Sequence, residues 1–182
     1  MHTIFMDRIK NYNIAFGGLK NGKHEFDFDI TQEFFDLFDT EPDFCDAKLQ
    51  ATAAVDKHST FLEMTIRVEG EVSLACDITG RQFLQPVENG VNILVKFGEE
   101  YDDSNEEIIT LPHGETEVNI AQQIYEAALL AIPMKKVSPD VTDEDLDLLE
   151  RYSPGEESEE AAETPADIDP RWAALNKLKK EN

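Results

Sequence analysis

The chain has 182 residues, of which 41% are hydrophobic, and its 39 Asp and Glu residues against 16 Lys and Arg residues give a formal net charge of −23. This length suits one ordinary domain with a tail, and the apolar content is enough for a sizeable core, which argues against disorder of the whole chain. So negative a protein repels phosphate backbones, which argues against a large nucleic-acid-binding face and favours cationic partners.

The number of cysteines and the lengths of the apolar runs indicate the cellular compartment of the protein. Two cysteines, Cys45 and Cys76, do not suggest a secreted fold built on disulfides. The first residues lack the basic segment and long apolar run of a signal peptide. No apolar stretch approaches the roughly 20 residues that cross a bilayer. We therefore expect a cytoplasmic protein without a membrane partner.

Apolar and polar residues alternate through most of the chain before residue 112, which is typical of β-strands. The segment 31–38 departs from this pattern, because its phenylalanines bunch together and favour one or two helical turns. The predicted strands in this region carry their apolar residues at Phe26 to Ile30, Leu49 to Val55 and Val91 to Phe97, with a further short strand at 106–111.

The clearest alternating run covers residues 62–78, and its apolar positions keep one phase past Gly70 as far as Cys76. The run is either one long strand, bent or bulged at the glycine, or two strands that meet there. Its phase predicts that Cys76 is a core residue and not a nucleophile. The neighbouring Asp77 is expected to raise the pKa of the thiol, which also disfavours thiolate chemistry.

The period changes to that of a helix after residue 114. An amphipathic helix is predicted over residues 117–132, begun by a cap at Thr116 or Asn119 and ended by Pro133. The fold class predicted from these elements is α+β: a curved, mostly antiparallel sheet or partly open barrel, packed by this C-terminal helix and followed by a flexible acidic tail.

Charge divides the chain into three predicted parts: a sheet-plus-helix domain at residues 1–137, an acidic linker at 138–169 and a basic helix at 170–182. The linker carries 13 acids and one base and includes a possible short helix capped by Thr142. The basic helix has an apolar stripe, and it either docks on its own domain or folds on a partner. Its candidate partner-binding residues are Arg171, Trp172, Leu175 and Leu178.

No motif points to catalysis or to a cofactor. The chain has no phosphate-binding loop, and its carboxylate pairs are too frequent to mark a site. We therefore predict no metal, no cofactor and no enzymatic activity, and an enzyme whose site is assembled from distant residues is the remaining alternative. The possible soft metal ligands do not occur at the spacings of zinc sites, and they are Cys45, Cys76, His2, His24, His58 and His113.

The order of several short patterns is informative. The pattern G-x-h-x-F-x-F begins at Gly22, where h is His24, and the pattern V-x-G-x-V-x-L-x-C-D ends at Asp77. Further along the chain, E-A-A-L-L-A-I-P ends at Pro133, and D-P-R-W-A-A-L-N-K-L-K begins at Asp169. This order resembles the bacterial YceD-type family of large ribosomal RNA subunit accumulation proteins, from about residue 4 to residue 180. Its signature positions in this chain are Cys76, Asp77 and Pro133.

The resemblance implies a non-enzymatic cytoplasmic protein that supports accumulation of large-subunit ribosomal RNA, and it supplies no catalytic residues. Many members carry C-D-R-C-L at the strand end, where Ile78 and Thr79 replace the arginine and the second cysteine here. From the charge we expect the partner to be a basic ribosomal protein or a pre-ribosomal particle, while direct contact with RNA is left open. The alternative is a general acidic interaction module or chaperone for cationic proteins.

Overall fold

The computed structural model of the protein describes residues 8–38, 40, 42–105 and 107–152. The chain divides into two compact units, with the boundary between Asp140 and Val141. The described part of the first unit contains a large sheet with two helices, and the described part of the second contains one helix.

The sheet has six strands in the order β2-β3-β4-β5-β7-β6. Its neighbouring strands are antiparallel except for β5 and β7, which are parallel. A separate two-stranded ribbon joins β1 to β8. The large sheet is curved and open, which decides between the open sheet and the barrel predicted from the sequence. The strands are β1 (Asn13–Ala15), β2 (Gly22–Thr31), β3 (Cys45–Lys57), β4 (Phe61–Ala75), β5 (Gln82–Gly98), β6 (Asp102–Asn105), β7 (Ile108–Pro112) and β8 (Glu117–Asn119).

Alternation along the strands gives β2–β5 an inner and an outer face. On β4, the inner-face residues Leu62, Met64, Ile66 and Val68 are buried, and the residues between them are exposed. The register places Val55, Ala53 and Ala51 of β3 opposite Met64, Ile66 and Val68. Burial of each aliphatic side chain of this size contributes about 1.5–3 kcal/mol, so the inner face stabilises the unit.

β4 is one long strand, which resolves the alternative left by the sequence at Gly70. This glycine has a φ of 148°, and a Cβ atom there would lie 2.3 Å from the carbonyl oxygen of Lys48 on β3. The register between β3 and β4 shifts between Cys45 and Lys48, next to Asp46 with its φ of 51°. The strand therefore needs glycine at this point, because another side chain would strain the backbone and meet β3.

An aromatic cluster fills the space beside the sheet. The predicted helical turns of segment 31–38 are present as the short helix α1 (Gln32–Phe35), whose two phenylalanines are buried. The ring of Phe35 packs edge-on against Phe44 at 4.8 Å between centroids, and Phe38 stacks on Tyr125 at 4.0 Å. The contact between Phe38 and Tyr125 joins the segment after β2 to the helix that contains Tyr125.

The second helix, α2 (Ala121–Leu130), is shorter than the helix predicted over 117–132. Its start differs because the preceding residues, Glu117–Asn119, pair with β1 as β8. The N-cap residue is Ile120, which makes no side-chain capping bond, so neither predicted cap occupies this position. Asn119 lies one residue earlier, and its Oδ1 accepts the backbone N–H of Ala121 at 3.1 Å.

One face of α2 packs on the inner face of the sheet. Ile124, Ala127 and Ala128 on this helix are buried in the apolar core. Asn89 of β5 donates a hydrogen bond from Nδ2 to the carbonyl oxygen of Ala127 at 3.1 Å. The small alanines bring the helix close enough to the sheet for this contact.

The described part of the second unit is the acidic helix α3 (Asp143–Tyr152). The hydroxyl of Thr142 accepts the backbone N–H of Asp145 at 3.3 Å, and the carboxylate of Asp145 accepts the backbone N–H of Thr142 at 3.0 Å. This reciprocal pair is a capping box, and it confirms Thr142 as the cap predicted from the sequence.

The outer face of β2–β5 is rich in carboxylates. Every second residue of β2 from Lys23 to Thr31 lies on this face, and each begins one register row across β2–β5. In these five rows, acids outnumber bases by eight to three. One row joins Asp29, Gln50, Glu69 and Glu88, so two glutamates stand directly opposite each other. The acids of these rows are Glu25, Asp27, Asp29, Asp56, Glu63, Glu69, Glu71 and Glu88.

Candidate functional site

The signature residues Cys76 and Asp77 follow β4 directly and begin a tight turn. The turn is closed by two backbone hydrogen bonds, from Gly80 N–H to the carbonyl oxygen of Cys76 at 2.8 Å and from Cys76 N–H to that of Arg81 at 2.9 Å. Gly80 has a φ of 68°, a conformation that glycine adopts without strain. The Thr-Gly sequence therefore turns the chain back into β5.

The side chain of Cys76 is buried, with 2% of its surface exposed, as the phase of β4 predicts. Its Sγ accepts the backbone N–H of Ser138 at 3.4 Å. This hydrogen bond, the hydroxyl of Thr79 and the backbone N–H groups of Thr79 and Ile78 lower the pKa of the thiol from 9.0 to about 7, although burial raises it. The donors favour the thiolate because each places a partial positive charge beside the sulfur.

The expectation that Asp77 raises the pKa of the Cys76 thiol is wrong, and the geometry of Asp77 explains why. Its Oδ2 accepts the backbone N–H of Lys136 at 2.7 Å. Its own backbone N–H donates to the carbonyl oxygen of Lys136, also at 2.7 Å. Asp77 thus hydrogen-bonds to the segment after α2. The pKa of the Cys76 thiol is set by hydrogen bonds from other residues.

The third signature residue, Pro133, lies close to Asp77. Both residues line a cleft of about 460 Å³, together with Phe44, Tyr125 and Lys136. The ammonium group of Lys136 forms an ion pair with Asp43 at 3.2 Å. The structure therefore brings Asp77 and Pro133 together beside Cys76, where the segment at 134–138 is held against the end of β4.

The family described as "Large ribosomal RNA subunit accumulation protein YceD" matches residues 64–179. The chain belongs to this family. No curated protein and no solved structure matches the chain.

The part of the chain matched by the YceD family includes all three signature positions and the basic segment at 170–179. It begins within β4, so the N-terminal pattern that starts at Gly22 lies outside the match. The candidate partner-binding residues Arg171, Trp172, Leu175 and Leu178 lie outside the residues that the structure describes. Their assignment stays a prediction.

The second cysteine of the C-D-R-C-L pattern is absent from this strand end. Thr79 stands in place of the second cysteine, and its hydroxyl is a hydrogen-bond donor to the thiol of Cys76. Cys45 is the other thiol and is exposed on β3. Among the described residues, no group of three or more His, Cys, Asp or Glu side chains could hold a metal ion.

Three contributors to the site escaped the sequence-based prediction: Asp43, Lys136 and Ser138. Lys136 and Ser138 donate hydrogen bonds to Asp77 and Cys76 respectively, and Asp43 accepts one from Lys136. Asp43 lies 34 residues before Asp77 in the sequence, and the other two residues are further away. The polar segment after Pro133 carries no motif, so no pattern in the sequence links it to the end of β4.

The helices in the part of the chain that the structure describes include none with the length and apolar character needed to span a membrane.

Proposed function

We propose that this protein supports accumulation of large-subunit ribosomal RNA as a non-enzymatic cytoplasmic factor that binds basic ribosomal proteins, free or on a precursor particle. Membership of the YceD family supports the role in RNA accumulation. The observation that carries the mode of binding is the unneutralised acidic outer face of the sheet.

Charge favours a protein partner over bare RNA. The chain carries a net charge of −23, and its outer face adds rows of carboxylates that repel a phosphate backbone. Basic ribosomal proteins have the opposite charge and meet the same surface with attraction. A factor that covers such a protein before assembly keeps it from binding the wrong polyanion, and the RNA then accumulates in correctly assembled subunits.

Depletion of the protein tests the role in RNA accumulation. We expect the amount of large-subunit ribosomal RNA to fall relative to that of the small subunit, measured on sucrose gradients, and to recover when the chain is supplied again. An unchanged ratio after complete depletion would contradict the proposal.

Co-purification tests the partner. The whole chain and a chain lacking residues 138–182 are purified from cells, and the bound proteins are identified. We expect large-subunit ribosomal proteins with the whole chain. If basic non-ribosomal proteins dominate, the protein is instead a general chaperone for cationic proteins. The shortened chain shows whether the first unit is sufficient for binding.

A further inference from the structure

An indentation crosses the outer face of the sheet from β2 towards β7, and we call it the acidic trough. It consists of two adjoining clefts of about 360 and 710 Å³, which share Glu63 and Thr65. Carboxylates stand along it at Glu25, Asp56, Glu63 and Glu107. Each of five neighbouring segments of the sheet, namely β2, β3, β4, β5 and the residue before β7, thus contributes an acid or a short floor residue.

The floor of the trough is a register row of short side chains. The row runs from Glu25 through Ala54 and Thr65 to Asn92. The hydroxyl of Thr65 donates to Oδ1 of Asn92 at 2.8 Å, which links β4 to β5 along this row. Short residues between long acids leave room for the aliphatic stem of a lysine or arginine, whose charged head then reaches the carboxylates.

The four carboxylates of the trough outnumber its one lysine, because Lys23, which stands opposite Asp56, is the one lysine or arginine among the residues that line the two clefts. Asp56 and Glu63 are directly opposite each other and stand 3.9 and 3.8 Å from Nε2 of His58. Among the described residues, none of the four trough acids forms an ion pair with a lysine or an arginine. Like charges placed opposite each other on neighbouring strands are destabilising, so a bound cation relieves a repulsion that already exists.

The dimensions of the trough suit a short extended segment. Neighbouring strands lie about 4.8 Å apart, so the distance from β2 to β7 across four steps is about 19 Å. An extended chain covers this distance with about six residues at roughly 3.3 Å each. A negative trough of this kind repels RNA and attracts a cationic peptide.

We propose that the acidic trough binds an extended segment of about six residues, rich in lysine or arginine, from a basic protein. The inference rests on the proposed function and adds the surface that makes the contact. The segment lies across the strands, with its cationic heads between the carboxylates of Glu25, Asp56, Glu63 and Glu107.

The binding test uses a fluorescein-labelled hexalysine peptide and the whole chain. The trough variant combines Glu25→Gln, Asp56→Asn, Glu63→Gln and Glu107→Gln. A matched control, with the same change in net charge, replaces four acids of the predicted linker: Glu156→Gln, Glu157→Gln, Glu159→Gln and Glu160→Gln.

We expect the trough variant to weaken peptide binding by about tenfold, measured by fluorescence anisotropy at about 0.1 M salt, because several exposed charge pairs are lost together. The linker control is expected to bind as the unmodified chain does. Equal weakening in the two variants would show attraction by net charge alone and overturn the proposal. Binding of a labelled single-stranded RNA in place of the peptide would overturn it as well. Circular dichroism and thermal unfolding establish that each variant is folded.

Complementation separates this inference from the proposed function. In depleted cells, the unmodified chain and the linker control are expected to restore large-subunit RNA, and the trough variant is not. If depletion has no effect, the proposed function fails, whatever the trough binds in vitro. If depletion lowers the RNA and the trough variant restores it fully, the proposed function stands and the trough is not its site.

Discussion

The inner and outer faces of β2–β5 are made by the same four strands and have opposite chemistry. On β4, Ile66 points into the core and is fully buried, while its neighbours Thr65 and Arg67 are exposed. The inner face gains stability from every apolar group that it removes from water. The outer face gives up stability by placing Glu69 opposite Glu88. Folding therefore does not account for the charge on the outer face, and binding is the reason that we propose for it.

The largest expected effect is on the inner face. Ile66→Ala removes a fully buried side chain between Ala53 and Val91 and is expected to lower the free energy of unfolding by about 2–5 kcal/mol, measured by urea denaturation. The control Thr65→Ala changes the neighbouring residue on the outer face and removes one exposed hydrogen bond, for about 1 kcal/mol or less. Equal losses in the two variants would contradict the separation of the faces.

The next largest effect is expected at Gly70 of β4. Gly70→Ala places a Cβ atom 2.3 Å from the carbonyl oxygen of Lys48, at a φ of 148°. We expect a loss of about 1–3 kcal/mol from backbone strain and a further loss from the steric clash, measured by thermal unfolding. Gly22→Ala is the control, because Gly22 also has a positive φ but has open space around it. A loss no greater than that of the control would show that β4 moves away from β3 without penalty.

The third effect is a dependence of stability on pH. The pKa of Cys76 is about 7 in the folded protein and 9.0 without its hydrogen-bond donors. The thiolate therefore stabilises the fold fully above pH 9, and this contribution is lost as the pH falls through 7. We expect the free energy of unfolding to rise between pH 7 and 9, and Cys76→Ala to lower stability and remove this rise while partner binding stays intact.

Cys45→Ala is the control for Cys76, because the thiol of Cys45 is exposed on β3. Its pH profile of unfolding should follow that of the unmodified chain. If Cys76→Ala retains the rise in stability between pH 7 and 9, another group is responsible for it. Loss of partner binding in a folded Cys76→Ala variant would contradict a purely structural role for this residue.

The smallest effect has the opposite sign. Glu88→Gln removes one of two opposed glutamates and is expected to raise the free energy of unfolding by about 0.2–1 kcal/mol at low salt. The gain should shrink near 1 M salt, where charges are screened beyond about 3 Å. The reciprocal change, Gln50→Glu, places a second acid opposite Glu69 and should lower stability. A loss of stability from Glu88→Gln would show that the outer face contributes to folding.

The faces of the strands, the helical turns after β2 and the cap at Thr142 could all be predicted from the amino-acid sequence. These features are local, because a period of two along a strand and a cap within one turn are both set by neighbouring residues. The signature residues Cys76, Asp77 and Pro133 were likewise found from short patterns, and the YceD family match includes all of them. The charge that suggests a basic partner is also a property of composition alone.

The features that depend on distant residues could be found in the folded structure alone. The start of α2 moved to Ala121 because the residues before it pair with β1, about 100 positions earlier in the chain. The pKa of Cys76 fell because Ser138, 62 residues away, donates to its sulfur. The acidic trough exists because register aligns single acids from separate strands. Such contacts join segments that share no local pattern, so the periodicity of the sequence carries no record of them.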